Sequence, residues 1–191
     1  MTGHGKFFAR IVVVGCPGAG KTHFSSALAR RLGARHIERD RLGTLGSAEF
    51  CAAVVAAVAD DRWVFDGPPY FFDGPPYFME TVVYPAAQVV IWLDYRRSLI
   101  LARGIRRALR RTIGPLEPGQ SFGDRFRQWV APGGPRFAMA VYTQRRQEFG
   151  RLQQHPELAT AAILRFGTPT AAAAWLAALD ASHEARSPAM P

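Results

Sequence analysis

The sequence predicts an α/β fold in which a five-stranded parallel sheet is covered by helices on both faces. Short apolar segments rich in β-branched and aromatic residues alternate with segments whose apolar residues recur at helical spacing. With 191 residues, 48% of them hydrophobic, the chain is long enough to bury the core of one domain. We expect this domain to cover residues 1–181 and residues 182–191 to form a disordered tail.

Three strands and two helices are expected in the first third of the chain. Residues 10–15 form a continuous apolar run that ends in glycine, which is typical of a buried parallel strand. Apolar residues at helical spacing over residues 21–32 predict the first helix, which ends before Gly33. A second strand near residues 34–37, an alanine-rich helix over 47–59 and a third strand at 63–65 follow.

Two further strands and three helices are expected in the rest of the chain. They are, in order, a strand at 89–93, an arginine-rich helix over about 97–111, a helix over 136–154, a strand at 162–166 and a helix over 169–180. Repeated glycines and prolines over residues 114–135 indicate a loop. We expect this loop and the end of the arginine-rich helix to form together a helical lid over about residues 104–135.

The most specific motif lies between the first strand and the first helix. Eight residues fit the pattern G-x-x-x-x-G-K-[ST] at every fixed position: Gly15, Cys16, Pro17, Gly18, Ala19, Gly20, Lys21 and Thr22. Glycines at these positions let backbone N–H groups turn inward toward phosphates, and the start of the following helix adds positive charge. The motif therefore predicts a phosphate-binding loop for a nucleoside triphosphate.

The side chains of this loop predict its cofactors, ATP and Mg²⁺. Lys21 is placed to reach the β- and γ-phosphates, and the Thr22 hydroxyl is placed to ligate Mg²⁺. His23, the next residue, is included among the expected nucleotide contacts. We interpret Cys16 as a tolerated spacer rather than as a nucleophile.

Three further motifs follow the loop in a characteristic order. They are His36-Ile37-Glu38-Arg39-Asp40, Trp63-Val64-Phe65-Asp66-Gly67, and Trp92-Leu93-Asp94 with the arginine-rich helix behind it. This order resembles the P-loop nucleoside-monophosphate-kinase-like superfamily, and within it the bacterial adenylate-kinase-related proteins labelled DNA topology modulation proteins. The resemblance covers about residues 9–180. It implies a three-layer P-loop NTPase fold and an ATP-dependent kinase.

The resemblance also implies catalytic roles. Asp40 would orient an acceptor hydroxyl or take its proton, with Glu38 as the other carboxylate at this position. Arg103, Arg107 and Arg110 lie at steps of four and three residues and therefore share one helix face. Arg103 would lie against the adenine ring, and the three arginines would close on the transferred phosphoryl group.

Four other residues are weaker candidates. Thr168, after the fifth strand, would border the adenine, although an ordinary strand-to-helix turn explains it almost as well. Arg145 and Arg146 could supply a second set of lid arginines. His36 is better explained as a structural residue than as a catalytic one.

The heptapeptide FDGPPYF occurs twice in succession, and each copy offers an Asp-Gly pair. Asp66 directly follows the third strand, whereas a strand before Asp73 would begin at two prolines, which fit poorly in a central strand. The 21 residues from Asp73 to Asp94 nevertheless match the family spacing. We favour Asp66 as the carboxylate on the Mg²⁺ side. The second copy of the heptapeptide is then either an extra loop over the acceptor pocket or an insertion without a functional role.

Two departures from the family concern the acceptor. Where adenylate kinases carry an arginine that holds the acceptor phosphate, this chain has Tyr70, and Ala86 replaces a second expected arginine. The absence of both arginines disfavours a nucleoside monophosphate and favours a neutral acceptor that bears a hydroxyl group.

The formal net charge of +9 favours anionic partners. It supports the alternative hypothesis of a nucleic-acid-binding P-loop NTPase or regulator, although the chain has no recognisable nucleic-acid-binding motif. A GTPase switch is disfavoured because the chain lacks the N-K-x-D guanine signature. Two cysteines suggest no disulfide framework, and no apolar run approaches the ~20 residues that cross a bilayer. We therefore expect a cytoplasmic protein that binds a nucleoside triphosphate and a small acceptor and has no membrane partner.

Overall fold

The computed structural model describes residues 9–42, 47–67, 77–113, 123, 129 and 134–184. Its elements are β1 (Arg10–Gly15), α1 (Lys21–Leu32), β2 (Arg35–Glu38), α2 (Arg39–Leu42), α3 (Ser47–Val58), β3 (Trp63–Asp66), α4 (Tyr77–Ala86), β4 (Val89–Leu93), α5 (Arg97–Ile113), α6 (Pro135–Gly150), β5 (Ala162–Phe166) and α7 (Pro169–Glu184). Two short 3₁₀ turns, Leu152–Gln154 and Pro156–Leu158, connect α6 to β5.

The five strands form one parallel sheet in the order β2-β3-β1-β4-β5. This confirms the predicted α/β fold with a five-stranded parallel sheet. The chain moves from β1 outward to β2, returns through β3 and then crosses β1 to reach β4. The carboxyl end of β1 is therefore a point where the direction of winding changes, and ligands of open parallel sheets bind in the crevice at such points.

The central strands are apolar throughout because both of their faces are covered. Every residue of β4 is buried, and so are the five residues of β1 that follow Arg10. On one face, Val13 and Ile91 pack with Leu28 of α1 and Leu176 of α7. On the other face, the strands pack against α3, α4 and the end of α6. The sheet is thus the middle of three layers.

Long-range backbone hydrogen bonds fix the register of the strands that carry the site. Val13 of β1 lies opposite Asp66 of β3, and Gly15 lies opposite Leu93 of β4. The N–H of Gly67 donates to the carbonyl of Val13 at 3.0 Å. Because successive residues of a strand face opposite sides of the sheet, this register decides which side Asp66 faces.

The structure differs from the sequence-based expectations at several points. Helix α4 was not expected, because the proline-rich repeat before it and Pro85 inside it obscure the helical pattern. The short helix α2 was also not expected. The last helix extends to Glu184 and thus includes residues 182–184, which composition places in the tail. Residues 185–191 and most of the expected lid, including 114–122, lie outside the described residues.

Candidate phosphate-binding site

Two left-handed glycines shape the loop between β1 and α1. Gly18 and Gly20 both have φ near +89°, a conformation that residues with a Cβ rarely adopt. Between them, the N–H of Ala19 donates to the carbonyl of Cys16 at 3.0 Å and closes a tight turn. The helix then starts directly, since the N–H of Phe24 donates to the Gly20 carbonyl at 3.1 Å. The N–H groups at the start of α1 are consequently available to an anion.

Lys21 and Thr22, the first two residues of α1, meet the end of β3. The Thr22 hydroxyl lies close enough to the carboxylate of Asp66 to lower its pKa, and the charges of Lys21 and Asp66 interact. Burial lowers the pKa of Lys21, while the nearby carboxylates of Asp66 and Asp40 oppose that shift. The structure therefore brings together three of the residues that the sequence selects.

Asp66 is buried, with 7% of its surface exposed. Burial raises the pKa of its carboxyl group, and the hydrogen bond from Thr22 and the charges of Lys21 and His36 oppose this shift. Its Oδ1 atom has no hydrogen-bond partner in the described part of the chain. A buried carboxylate with a vacant oxygen, next to a threonine hydroxyl, provides the oxygen ligands that Mg²⁺ prefers. The residues therefore fit Mg²⁺.

The end of β2 carries a second group of charged side chains beside Asp66. His36 lies between two carboxylates, with Nδ1 3.7 Å from Oε1 of Glu38 and Nε2 4.0 Å from Oδ2 of Asp66. Asp40 is 94% exposed and pairs with Arg39 at 3.3 Å. Asp40 is thus near enough to influence Lys21, but it is not buried in the phosphate site.

Arg39 is a candidate that the sequence-based argument did not select. Its side chain is only 17% exposed, and its charge interacts with that of Lys21. The position of a Cβ on Gly67 would be 3.4 Å from the Cβ of Arg39, which shows how closely the two segments approach. The position of Arg39 between Glu38 and Asp40 in the motif could have indicated a site residue. A sequence does not reveal, however, which of several arginines has a buried side chain.

Helix α5 lies across the phosphate loop. Arg103 donates from Nη1 to the carbonyl of Ala19 at 2.8 Å, and its guanidinium carbon lies 5.4 Å from the centre of the Tyr95 ring. An Nη2 atom of Arg107 lies 3.9 Å from the position that a Cβ on Gly18 would occupy. These contacts place two of the predicted arginines directly against the loop.

A cleft of about 940 Å³ opens between the loop, α1, α5 and α7. Three residues of the phosphate loop form one end of it, and apolar side chains of α1 and α7 contribute to its wall. Arg103, Arg107 and Arg110 all line this cleft, as their common helix face predicts. Its charged lining residues are Arg30, Arg31, Arg103, Arg106, Arg107 and Arg110, with His23 beside them.

Asp94, the residue after β4, binds two arginines. It is 8% exposed and accepts hydrogen bonds from Nε and Nη2 of Arg146 at 2.9 and 3.2 Å. Arg165 of β5 also donates to it, with Nε at 3.0 Å. Arg145, which is itself buried, donates to Glu148 at 2.7 Å. Arg145 and Arg146, proposed above as lid arginines, are thus held by carboxylates in this structure.

Thr168 caps the last helix. Its Oγ1 accepts a hydrogen bond from the N–H of Ala171 at 3.2 Å, three residues on, as an N-cap side chain does. The adjacent Pro169 lines the cleft. This hydrogen bond supports the explanation of Thr168 as part of an ordinary strand-to-helix turn. Its expected contact with adenine stays a prediction.

Several expected residues lie outside the described part of the chain. They include Tyr70, Asp73 and the glycine- and proline-rich segment from residue 114 to residue 122. Within the described ranges, no group of three or more His, Cys, Asp or Glu side chains could hold a metal ion. Among the same residues, no helix is both long enough and apolar enough to cross a membrane.

The strand order and the glycine loop define a P-loop α/β protein. No protein-family model matches the chain, and no curated protein does either. The assignment to the bacterial family of DNA topology modulation proteins is therefore not confirmed.

Solved structures of three kinases are similar in fold. Shikimate kinase from Acinetobacter baumannii in complex with shikimate has 14% identity, with 95% of this chain and 96% of that one covered. Shikimate kinase from Bacteroides thetaiotaomicron has 18% identity, with 93% and 99% covered, and a gluconokinase from Sinorhizobium meliloti 1021 has 16%, with 96% and 99% covered. Each has a TM-score of 0.47, and at these values the likeness carries no argument about activity.

Replacing Gly20 by alanine should destabilise the protein. The left-handed backbone at this position costs a residue with a Cβ about 1–2 kcal/mol, and the new Cβ would lie 3.4 Å from Nη1 of Arg103. We expect Gly20→Ala to lower the free energy of unfolding by about that amount, measured by urea denaturation. Gly150→Ala is the matched control, because nothing lies within 4 Å of its Cβ position and α6 includes it. Equal stability of the two variants would contradict the role assigned to the left-handed turn.

Cys16 should react slowly with alkylating reagents. It is 4% exposed, its Sγ donates to the Tyr142 carbonyl at 3.8 Å, and burial raises its pKa to about 11. Because the thiolate is the reacting form, the thiol should stay unreactive at pH 8 and gain reactivity as the pH rises toward 11. We expect iodoacetamide to label Cys51→Ala, which retains Cys16, at least about tenfold more slowly at pH 8 than Cys16→Ala. Equal labelling rates would show that the Cys16 thiol is accessible and ionised.

Proposed function

We propose that this protein is an ATP-dependent phosphotransferase that moves the γ-phosphoryl group of Mg-ATP to a small hydroxyl or phosphate acceptor. The observation that carries the proposal is the cluster of Lys21, Thr22 and Asp66 at the end of the phosphate loop. Lys21 supplies a positive charge for the phosphates. Asp66 interacts with both Lys21 and Thr22, and Asp66 and Thr22 would supply oxygen ligands.

The loop and α5 would act together on the donor. Backbone N–H groups from Cys16 to Thr22 would hold the phosphates, and Thr22 with Asp66 would hold Mg²⁺, which neutralises charge across the phosphate oxygens. Arg103 already donates a hydrogen bond to the loop, Arg107 lies beside Gly18, and Arg110 lines the same cleft. Their guanidinium groups would balance the charge that develops on the transferred phosphoryl group.

The acceptor would approach from the side of β2 and β3, where the polar groups at the ends of these strands converge. His36 lies on this edge, 3.7 Å from Glu38 and 4.0 Å from Asp66. Asp40 is proposed to orient the acceptor hydroxyl, and its exposed position requires either an acceptor that reaches it or a movement of α2. The three carboxylates here, Glu38, Asp40 and Asp66, outnumber the two arginines, and Arg39 and Arg41 pair with Asp40 and Glu38. This balance supports a neutral acceptor.

A nucleic-acid-binding NTPase is the alternative function. The observation that favours it is the set of six arginines that line one cleft without any acidic neighbour among the described lining residues. The apolar wall of the cleft and its closure by the phosphate loop favour a nucleotide over a duplex. Strongly salt-dependent binding to duplex DNA would favour the alternative.

ADP release from Mg-ATP across a panel of acceptors tests the proposal. The panel holds nucleoside monophosphates, nucleosides, sugars and hydroxylated metabolites, and Lys21→Ala is the blank, because it removes the charge that holds the phosphates. We expect stimulation by one class of hydroxyl-bearing acceptor and at least about a hundredfold loss in Lys21→Ala.

Two results would contradict the proposal. Unchanged turnover in Lys21→Ala would remove the phosphate loop from the reaction. Binding of ATP without stimulation by any acceptor would favour the nucleic-acid alternative. The fold of Lys21→Ala is checked by its thermal unfolding, so that loss of turnover is not confused with loss of structure.

A further inference from the structure

Arg103 reaches the phosphate loop from α5 and is held there by two neutral groups. Its Nη1 atom donates to the carbonyl of Ala19 at 2.8 Å. Its guanidinium carbon lies 5.4 Å from the centre of the Tyr95 ring, within the ~6 Å range of a cation–π interaction. Burial raises the pKa of Tyr95, so the ring is uncharged at neutral pH. These two contacts therefore leave the positive charge of Arg103 available to a ligand.

The Tyr95 ring is fixed by its surroundings. Tyr95 is 3% exposed and belongs to the hydrophobic core on the side of α1. Its carbonyl accepts a hydrogen bond from the Tyr142 hydroxyl of α6 at 3.1 Å. The N–H of the preceding residue, Asp94, donates to the carbonyl of Phe166 at 2.9 Å. The ring is consequently a rigid surface against which the more mobile arginine side chain lies.

The remaining donors of Arg103 lie beside the loop. A guanidinium group carries five N–H donors, and the hydrogen bond to Ala19 uses one of them. Nη1 of Arg103 lies 3.4 Å from the position that a Cβ on Gly20 would occupy, directly before Lys21. Tyr95 and Arg103 both line the cleft that the loop closes at one end. The guanidinium is thus held where phosphates would lie on the loop.

We propose that Tyr95 is a positioning residue for nucleotide binding, because its ring holds the Arg103 guanidinium at the phosphate loop before the nucleotide arrives. Without the ring, the arginine side chain would populate other rotamers, and ordering it again would cost conformational entropy. The apparent affinity for the nucleotide then falls with the fraction of protein in which Arg103 is in place. The inference rests on the proposed function, because it assumes that a nucleotide binds to the loop and contacts Arg103.

The affinity of the whole chain for a fluorescent ATP analogue, measured with Mg²⁺, tests the inference. We expect Tyr95→Leu to weaken binding about fivefold, because it removes the cation–π contact. Tyr95→Phe keeps the ring and should bind within about twofold of the wild-type protein. In the Arg103→Ala background, Tyr95→Leu should have no further effect, because the group that Tyr95 positions is absent.

A fluorination series at position 95 keeps the inference testable even if Tyr95→Leu is destabilised. Tyr95 is replaced by phenylalanine, by difluorinated phenylalanine or by trifluorinated phenylalanine. These rings are similar in shape, but fluorine withdraws the negative charge from the ring face that attracts a cation. Affinity should fall stepwise along the series, to about threefold below that of Tyr95→Phe, and should stay constant when Arg103→Ala is also present. A ring that only fills space would not respond to fluorination.

Phe149→Leu is the matched control for the loss of a buried ring. Phe149 of α6 is 2% exposed, packs against Trp92 with ring centres 6.2 Å apart, and does not line the cleft. Phe149→Leu and Tyr95→Leu should both lower the free energy of unfolding, measured by urea denaturation, because each removes part of the core. Only Tyr95→Leu should weaken binding of the ATP analogue.

The outcomes separate this inference from the proposed function. If the analogue does not bind to the wild-type protein, both are wrong. If it binds and neither Tyr95→Leu nor fluorination changes its affinity, the positioning role is wrong and the proposed function stands. An equal loss of affinity with and without Arg103 would also overturn the positioning role, because Tyr95 would then contact the nucleotide itself or act through the fold.

Discussion

The site depends on the pairing of β1 with β3. Val13 lies opposite Asp66, and the hydrogen bond from Gly67 to Val13 fixes that register. This pairing brings the end of β3 beside the first turn of α1, so that Asp66 meets Thr22 and Lys21 although more than 40 residues separate them in the sequence. A slip of one residue would turn Asp66 to the other face of the sheet and away from the loop.

Burial disfavours the charged forms of Lys21 and Asp66 in the protein without ligands. Burial lowers the pKa of Lys21 and raises the pKa of Asp66, so each group is pushed toward its neutral form. Triphosphate oxygens beside Lys21 and a cation beside Asp66 would favour the charged form of both groups. Shifts of this kind are typical of functional sites and support the proposed binding of a triphosphate and a cation here.

Patterns within short segments of the sequence predict most of the fold and part of the site, whereas contacts between distant residues are not predicted. The phosphate loop is recognisable because its chemistry lies within eight consecutive residues, and the α5 arginines are recognisable because helical spacing places them on one face. The choice of Asp66 depends on the strand before it, and that strand is predicted because Trp63 to Phe65 are apolar. All five strands were located from the same kind of local signal.

The rest depends on contacts that a sequence does not show. Asp94 holds Arg146 and Arg165, which are 52 and 71 residues away. Spacing alone does not distinguish these anchored arginines from the ones that line the cleft. Arg39 and Asp40 are adjacent, yet the side chain of the first is 17% exposed and that of the second 94%. Helix α4 was missed because the repeated proline-rich segment before it resembles a loop.

The central claim, that Asp66 serves the metal side of the phosphate site, is tested most directly by the Mg²⁺ dependence of ATP binding. Calorimetric titrations with and without Mg²⁺ would compare the wild-type protein with Asp66→Asn and with Asp73→Asn in the second copy of the heptapeptide. The account predicts that Mg²⁺ strengthens ATP binding in the wild-type protein and in Asp73→Asn, and that this effect is lost in Asp66→Asn. Retention of the effect in Asp66→Asn, or its loss in Asp73→Asn, would contradict the account.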